Sequence, residues 1–391
     1  MYPTDEPDES DVLRRLRDAP RILELLQEAT ATGLSLQKQL RAEFPADVVR
    51  AALSLVELRR KAVGRFSRAD RMWFDPTGLE QATAEPVALH KAQRFNGRVH
   101  DFCCGIGSDM IAMARSGCEV TGVDLNPATC LRAEWNAECY EVSDRVSVVA
   151  ADVLHYPAQT GLLHVDPDRR AGPGRRVLKV EECVPGLGDL LHMMRAFSGG
   201  AIKLSPASNF GGKFPGCEIE LISLGGECKE ATIWFGELRG EFEYRATVLP
   251  SGETLAADPL AAWTNVGPLG RWLYDPDPAI VRAGLVDVLA ERLGLRRLDD
   301  AEEYLTSDEL VTSPFVSPFE VVEDFPNNPK EIRRAVRLGD YGQAEIKCRH
   351  VPVKAEEVRR KLTLNGSKPV SLIYTRQSGK TRVVLCHRPQ R

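Results

Sequence analysis

Two stretches of this chain carry the residue types and spacing of a nucleotide-type pocket. The first, Val99-His100-Asp101-Phe102-Cys103-Cys104-Gly105-Ile106-Gly107-Ser108-Asp109-Met110, reads as a short strand, a tight glycine turn and the start of a helix. Small residues there let a ligand approach the backbone, and a helix N-terminus offers free N–H groups. The second, Cys118 to Val123, reads as a strand ending on Asp124, with Leu125 beside it. A carboxylate at such a strand tip can accept two ribose hydroxyls. An ordinary strand–turn–helix without a ligand would not need Asp101, the glycines and Asp124 in register.

The glycine spacing separates two cofactors. A dinucleotide turn is Gly-x-Gly-x-x-Gly, its last glycine allowing close helix packing; here that place holds Met110, a side chain too large for the role. The stretch resembles the acidic-x-Gly-x-Gly-x-Gly pattern of class I S-adenosylmethionine (SAM) methyltransferases. Asp101 takes the acidic place, Gly105 and Gly107 the later glycines, and Cys103 replaces the first. The resemblance implies SAM as cofactor, bound by Asp101, Cys103, Gly105, Gly107, Asp124 and Leu125, with Asp152 of Ala150-Ala151-Asp152-Val153 accepting the adenine amine. Thr83, near the start of a helix expected over 85–95 that would roof the cofactor, reads as a cap or as a ligand to the cofactor's carboxylate, capping being favoured.

The strand Leu162–Val165 ends at Asp166-Pro167-Asp168-Arg169-Arg170, on the crevice side of a parallel sheet. Methyltransferases of exocyclic amines usually hold Asp/Asn/Ser-Pro-Pro-aromatic there. Asp166 and Pro167 agree; Asp168 and Arg169 depart. Asp166, Pro167 and Asp168 are the candidate catalytic residues. Arg169, Arg170, Arg175 and Arg176, around Gly172-Pro173-Gly174, form a basic loop suited to a phosphate-bearing substrate, or a solvated loop pairing with Glu181 and Glu182. Lys203 and Asn209 lie at the next strand end, placed to contact substrate, although Ser-Pro and Gly-Gly read more simply as turn chemistry. The histidines show no metal or triad spacing, and none of the ten cysteines forms a Cys-x-x-Cys pair, so no metal site is expected.

The elements that position these residues follow from the alternation of strands and helices. Strands are expected at 98–102, 119–123, 145–149, 162–165 and 200–204, with helices at 108–116, 127–140 and around 184–197. Two longer strands, Glu218–Leu224 and Thr232–Leu238, follow. This predicts an α/β, Rossmann-like class I methyltransferase fold, a seven-stranded, mostly parallel sheet, over 66–250. Residues 1–65 read as a helical N-terminal domain (1–11 disordered), with helices over Asp11–Thr30, broken at Pro20, and Pro45–Ala62. A partly helical connector spans 251–329, including the Pro-rich run 312–329. A small basic α+β domain spans 330–391.

With 391 residues and a 43% hydrophobic fraction, the chain is ordinary globular material. No apolar run approaches membrane-spanning length and the N-terminus is acidic, so a soluble, cytoplasmic protein is expected. The net charge of −5 hides an asymmetry: residues 330–391 carry 16 Lys and Arg against 5 Asp and Glu. A basic module on an acidic body suggests a polyanion partner or simply a solvated basic face.

Gly78-Leu79-Glu80-Gln81-Ala82-Thr83, the Asp101–Gly107 turn, Asp166–Arg170 and Gly226-Glu227-Cys228-Lys229-Glu230-Ala231 resemble bacterial class I methyltransferases with a C-terminal THUMP-like domain. Glu345-Ile346-Lys347-Cys348-Arg349 and Leu372-Ile373-Tyr374-Thr375-Arg376 are similar to that THUMP-like module. The core also resembles the trimethylguanosine synthase group, matched at Asp101, Cys104, Gly105 and Gly107 but lacking its Ser-Pro-Pro-Trp. The resemblance implies methylation of a nucleoside in RNA, tRNA or rRNA. Two other functions stay open: an RNA-binding adaptor with a vestigial methyltransferase fold, and a protein or small-molecule methyltransferase. The oligomeric state is not readable from the sequence.

Overall fold

The computed structural model describes residues 8–28, 34–157, 160–168 and 178–389. The elements run α1 Glu9–Arg17, α2 Pro20–Glu28, α3 Leu34–Glu43, α4 Ala46–Ala62, α5 Pro76–Gln81, α6 Glu85–Ala92, β1 Arg98–Phe102, α7 Ser108–Arg115, β2 Glu119–Asp124, α8 Pro127–Cys139, β3 Val146–Ala150, β4 Leu162–Val165, α9 Leu187–Ala196 and β5 Gly199–Leu204. They continue β6 Glu218–Leu224, β7 Glu227–Gly236, β8 Tyr244–Leu249, β9 Glu253–Ala257, β10 Trp272–Pro276, α10 Pro278–Arg282, α11 Val286–Leu293, β11 Arg296–Arg297, β12 Leu305–Ser307, β13 Val316–Pro326, α12 Pro329–Leu338, β14 Tyr341–Cys348, α13 Ala355–Arg359, β15 Lys368–Gln377 and β16 Lys380–His387. The chain forms two compact units: Met1–Cys217 with Thr232–Gly240, and Glu218–Ala231 with Glu241–Arg391.

In the first unit β3-β2-β1-β4-β5 lie side by side and parallel, and the end of β7 takes the next place. The central strands are buried along almost their whole length, β4 and β5 at every residue, as a sheet covered on both faces requires. Parallel strands leave their carboxyl ends, and the turns that follow, at one edge. Local signals fix those turns. Asn126 caps α8, its side-chain oxygen accepting from the amides of Ala128 (2.9 Å) and Thr129 (3.3 Å), with Pro127 at the first helical position.

The helices α1, α2 and α4 share one apolar core with Phe66, Met72, Trp73, Phe74, Ile106 and Trp135. Fully buried Asn136 ties this core to the glycine turn: its Nδ2 donates to the carbonyls of Trp73 (3.1 Å) and Ile106 (2.9 Å), while its oxygen accepts from Trp73 N (2.7 Å). Trp73 packs edge-on to Trp135 at 4.7 Å, and Arg17 covers the outer face of Trp135. Pro20 separates α1 from α2 and starts the latter. Residues 9–11, expected to be disordered, are helical, with Asp8 capping Ser10 N; residues 1–7 lie outside the described set. The apolar spacing over α3 is weak, and Leu40 alone among its described side chains is fully buried.

In the second unit β6 pairs parallel with β8 and β8 antiparallel with β9, two strands beyond the seven expected. A separate sheet runs β11-β12-β10-β13-β16-β15-β14. Alternation gives its strands two apolar faces: Leu372, Tyr374, Val383 and Leu385 join α12 in one core, and Ile373, Val384 and Cys386 face Leu273 and Phe319 in another. The run 312–329, expected to be a connector, contains the eleven-residue β13, and the basic module's sheet therefore begins well before Lys330. Prolines usually argue against an interior strand. Here Pro318 sits in the half of β13 that pairs with β10 alone, and β16 begins to pair only at Glu320, so a missing N–H leaves no ladder bond unmade on the open edge.

Candidate functional site

A cavity of about 460 Å³ opens at the carboxyl ends of β1, β2 and β4 in the first unit, a size that suits a small-molecule cofactor. Of the residues singled out from sequence, Asp101, Cys103, Gly105, Asp124, Leu125, Asp152, Asp166, Pro167 and Asp168 line it. Gly107 stands just behind the wall as the N-cap of α7. Thr83 is buried behind the cavity, its hydroxyl donating to Asp109 Oδ2 at 2.6 Å, and it neither caps α6 nor belongs to the lining. Arg169, Arg170, Arg175 and Arg176 lie outside the described residues. No described residue of α6 lines the cavity; the roof expected there comes from α5 instead, through Asp75, Thr77, Gly78, Gln81 and Ala82.

The turn's backbone explains its residue types. Gly105 (φ 54°) and Gly107 (φ 87°) adopt left-handed conformations that a side chain resists. Cys103 is also left-handed, at φ 56°, so the cysteine in the first glycine's place holds a glycine-like backbone at a steric cost. Cys103→Gly is therefore expected to be more stable than Cys103→Ala by about 1 kcal/mol in urea denaturation; the reverse order would refute the strain. Met110 packs where a dinucleotide turn needs glycine. A Cβ on Gly122 would come 2.6 Å from its sulfur, and one on Gly107 2.9 Å from its terminal methyl, so β2 and the turn supply the room that the helix does not.

Charge distinguishes the ligands this cavity suits. Seven of its lining residues are aspartates, and none among the described residues is Lys or Arg. Three are balanced from behind: Lys91 Nζ lies 2.8 Å from Asp109, Lys203 Nζ 2.6 Å from Asp166, and Arg132 3.7 Å from Asp75. Asp101 is 1% exposed; its Oδ1 takes a 2.6 Å hydrogen bond from His164 Nδ1, while Oδ2 has no hydrogen-bond partner among the described residues. Burial, with Asp109 and Asp166 nearby, raises its pKa. Ser108 Oγ, at the open start of α7, likewise lacks a partner. An unpaired buried carboxylate oxygen and hydroxyl beside a helix N-terminus fit an amino-acid zwitterion, and an aspartate-rich wall fits a sulfonium while opposing a pyrophosphate. The residues present fit SAM.

Asp124 spans the turn: Oδ2 accepts from Gly105 N and Oδ1 from Asn126 N, each at 3.0 Å. Burial raises its pKa against those two bonds. Asp152 is half-buried; Leu154 N and then His155 hold its pKa low. Burial among Asp124, Asp166, Asp101 and Asp168 pushes the Cys103 thiol far up, so it stays protonated.

Sequence reasoning missed the residues behind the wall. Lys203, taken as turn chemistry, also donates to the Gln81 carbonyl (3.2 Å), and Gln81 Nε2 donates to Asp168 Oδ1 (3.1 Å). Asp168 is further fixed by paired backbone bonds with Val184. His164, which has no metal or triad spacing in the sequence, joins Asp101 to Lys91. Its one signal in the sequence is its place among the apolar residues Leu162, Leu163 and Val165 of a strand that is buried throughout.

A parallel sheet in this order, opening on such a cavity, is the architecture of the Rossmann-like methyltransferases. The chain belongs to the S-adenosylmethionine-dependent methyltransferases. An uncharacterized member from Mycobacterium tuberculosis, known from strains CDC 1551 and H37Rv, is 36% identical over 331 residues, covering 82% of this chain and 90% of the relative. Residues 96–182 match the RNA cap guanine-N2 methyltransferase family and residues 316–388 the THUMP domain-like family. A crystal structure of a presumed methyltransferase from Porphyromonas gingivalis W83 shares the fold at 19% identity, with a TM-score of 0.73 over 99% of this chain and 100% of that one. Among the described residues no helix is long and apolar enough to cross a membrane, and no group of three or more His, Cys, Asp or Glu is placed to hold a metal ion.

Proposed function

We propose that this methyltransferase acts on a nucleoside in RNA, tRNA or rRNA, with an exocyclic amine as the acceptor. The observation that carries the reading is the pairing of matches: an RNA guanine-N2 methyltransferase segment and a THUMP-like segment in one chain. The second lies where the cations are concentrated. Helix α12 buries Ile332 and Val336 and exposes Arg333, Arg334 and Arg337. Arg333, Lys354 and Lys361 flank a groove between α12 and α13 floored by Ile332, Val358 and Leu362. Cations over an apolar floor suit a phosphate backbone with unstacked bases.

In this reading Asp101 faces the ammonium of the cofactor, Ser108 and the turn around Cys103, Gly105 and Gly107 face its carboxylate end, Asp124 and Leu125 its ribose, and Asp152 its adenine. The bound cofactor supplies an electrophilic methyl group. Asp166, with Oδ2 held by Lys203, keeps Oδ1 for an amine hydrogen, and the Pro167 carbonyl is a second acceptor. Two acceptors on one amine aim its lone pair, so the protein contributes mainly position and alignment. Asp168, held by Gln81 and Val184, extends the same edge, and the arginines of 169–176 would grip phosphate.

Nucleoside mass spectrometry of RNA from cells with and without the gene tests the reading. One methylated nucleoside is expected to disappear without the gene and to return when purified protein and labelled SAM are added to that RNA. An unchanged nucleoside profile, with SAM bound but no label transferred, would refute RNA methylation and leave the adaptor role.

A further inference from the structure

The roles above leave a set of buried polar groups unused. Thr83 Oγ1 bonds Asp109, Asp109 pairs with Lys91, Lys91 Nζ lies 3.5 Å from His164 Nε2, and His164 Nδ1 bonds Asp101. These side chains come from the α5–α6 link, α7, α6, β4 and β1, and each is at most 8% exposed. Burying such groups is costly unless every charge is paired. They are paired here at every link except the last, where Asp101 Oδ2 meets the cavity.

The order of donors follows from chemistry. Lys91 has only hydrogens to offer, so in the neutral ring His164 Nε2 presents its lone pair to it, and in either charge state Nδ1 carries a proton and donates it to Asp101 Oδ1. Burial lowers the His164 pKa, but Asp101 and Asp109 outweigh it, while Lys91 opposes them. With both nitrogens committed, His164 cannot act as a base toward a substrate. What it can do is fix which oxygen of Asp101 is free and where that oxygen points. We infer that His164 and Lys91 are positioning residues that lock Asp101 so that Oδ2 alone faces the ammonium group of the cofactor, and so set affinity for its amino-acid end independently of its adenosine end. The inference rests on the reading that Asp101 meets that ammonium.

Calorimetry on the full chain with two probes separates the two. S-adenosylhomocysteine carries the amino-acid end; 5′-methylthioadenosine lacks it. Asp101→Asn tests the underlying reading: homocysteine-ligand affinity should fall at least about tenfold, with methylthioadenosine within about threefold. If both affinities stay at the wild-type value, the ammonium reading of Asp101 fails. Given that loss, His164→Leu should weaken S-adenosylhomocysteine by about 10- to 100-fold and leave methylthioadenosine unchanged. His164→Asn, whose amide can still donate to Oδ1, should recover affinity to within about threefold of wild type. Lys91→Met should act in the same direction by about tenfold, and it decides the matter if the leucine variant does not fold. Equal weakening of both probes would show a merely structural role and overturn the inference. So would unchanged S-adenosylhomocysteine binding in the His164 and Lys91 variants when Asp101→Asn has lost it.

Discussion

Asp166→Asn is expected to slow methyl transfer to RNA from gene-deleted cells by about 100-fold or more, with S-adenosylhomocysteine affinity within about threefold of wild type. Asp166 supplies the acceptor-side oxygen at the end of β4, and its loss removes alignment rather than cofactor contacts. The substitution also strips Lys203, only 5% exposed, of its ion-pair partner. A buried unpaired cation destabilises by several kcal/mol, so lost rate and lost fold must be separated. The double variant Asp166→Asn with Lys203→Met removes both charges and should recover thermal stability without recovering rate. A double variant that regains activity would show that Asp166 serves the fold alone.

The second large effect falls on the scaffold. Gly200→Ala should cost about 3 kcal/mol in urea denaturation. A Cβ there would stand 2.0 Å from the Leu163 carbonyl oxygen and 2.8 Å from the Phe235 ring. The first is backbone in the neighbouring strand, which cannot turn aside as a side chain can. The strand that would have to move carries His164 and leads into Asp166, so cofactor binding should weaken with stability. A loss below about 1 kcal/mol would contradict the close approach of β4 to β5.

The parts legible in the sequence were those whose causes are local. The glycine turn, Asp124 at a strand tip and the capped start of α8 are set by residues a few positions apart, so spacing alone placed them. The groups behind the cavity are set by contacts between distant residues. Lys91 meets His164 across 73 positions and Lys203 meets Asp166 across 37, and nothing near a lysine in an apolar strand says which carboxylate it will find. β13 was hidden for a different reason. Its prolines mimic a loop, and only the pairing of its two halves with different strands shows why they are tolerated. The position of Thr83 suggests a helix cap or a ligand to the cofactor's carboxylate, yet its hydroxyl turns to a buried carboxylate that no local pattern announces.

The way the chain passes between the two units bears on how the protein is made. It leaves the first unit after Cys217, contributes β6 and the start of β7 to the second, and returns for Thr232–Gly240 before leaving again. The first unit is therefore unfinished on the ribosome until Gly240 has emerged, and its sheet waits with β5 lacking the neighbour that the end of β7 provides. Synthesis at about 5–20 residues per second covers the missing stretch in a few seconds, during which an unpaired strand edge is exposed. A protease cutting once at the first crossing, just after Cys217, would strip the methyltransferase core of its edge segment Thr232–Gly240, whereas a cut after Gly240 would leave the whole first unit on one fragment.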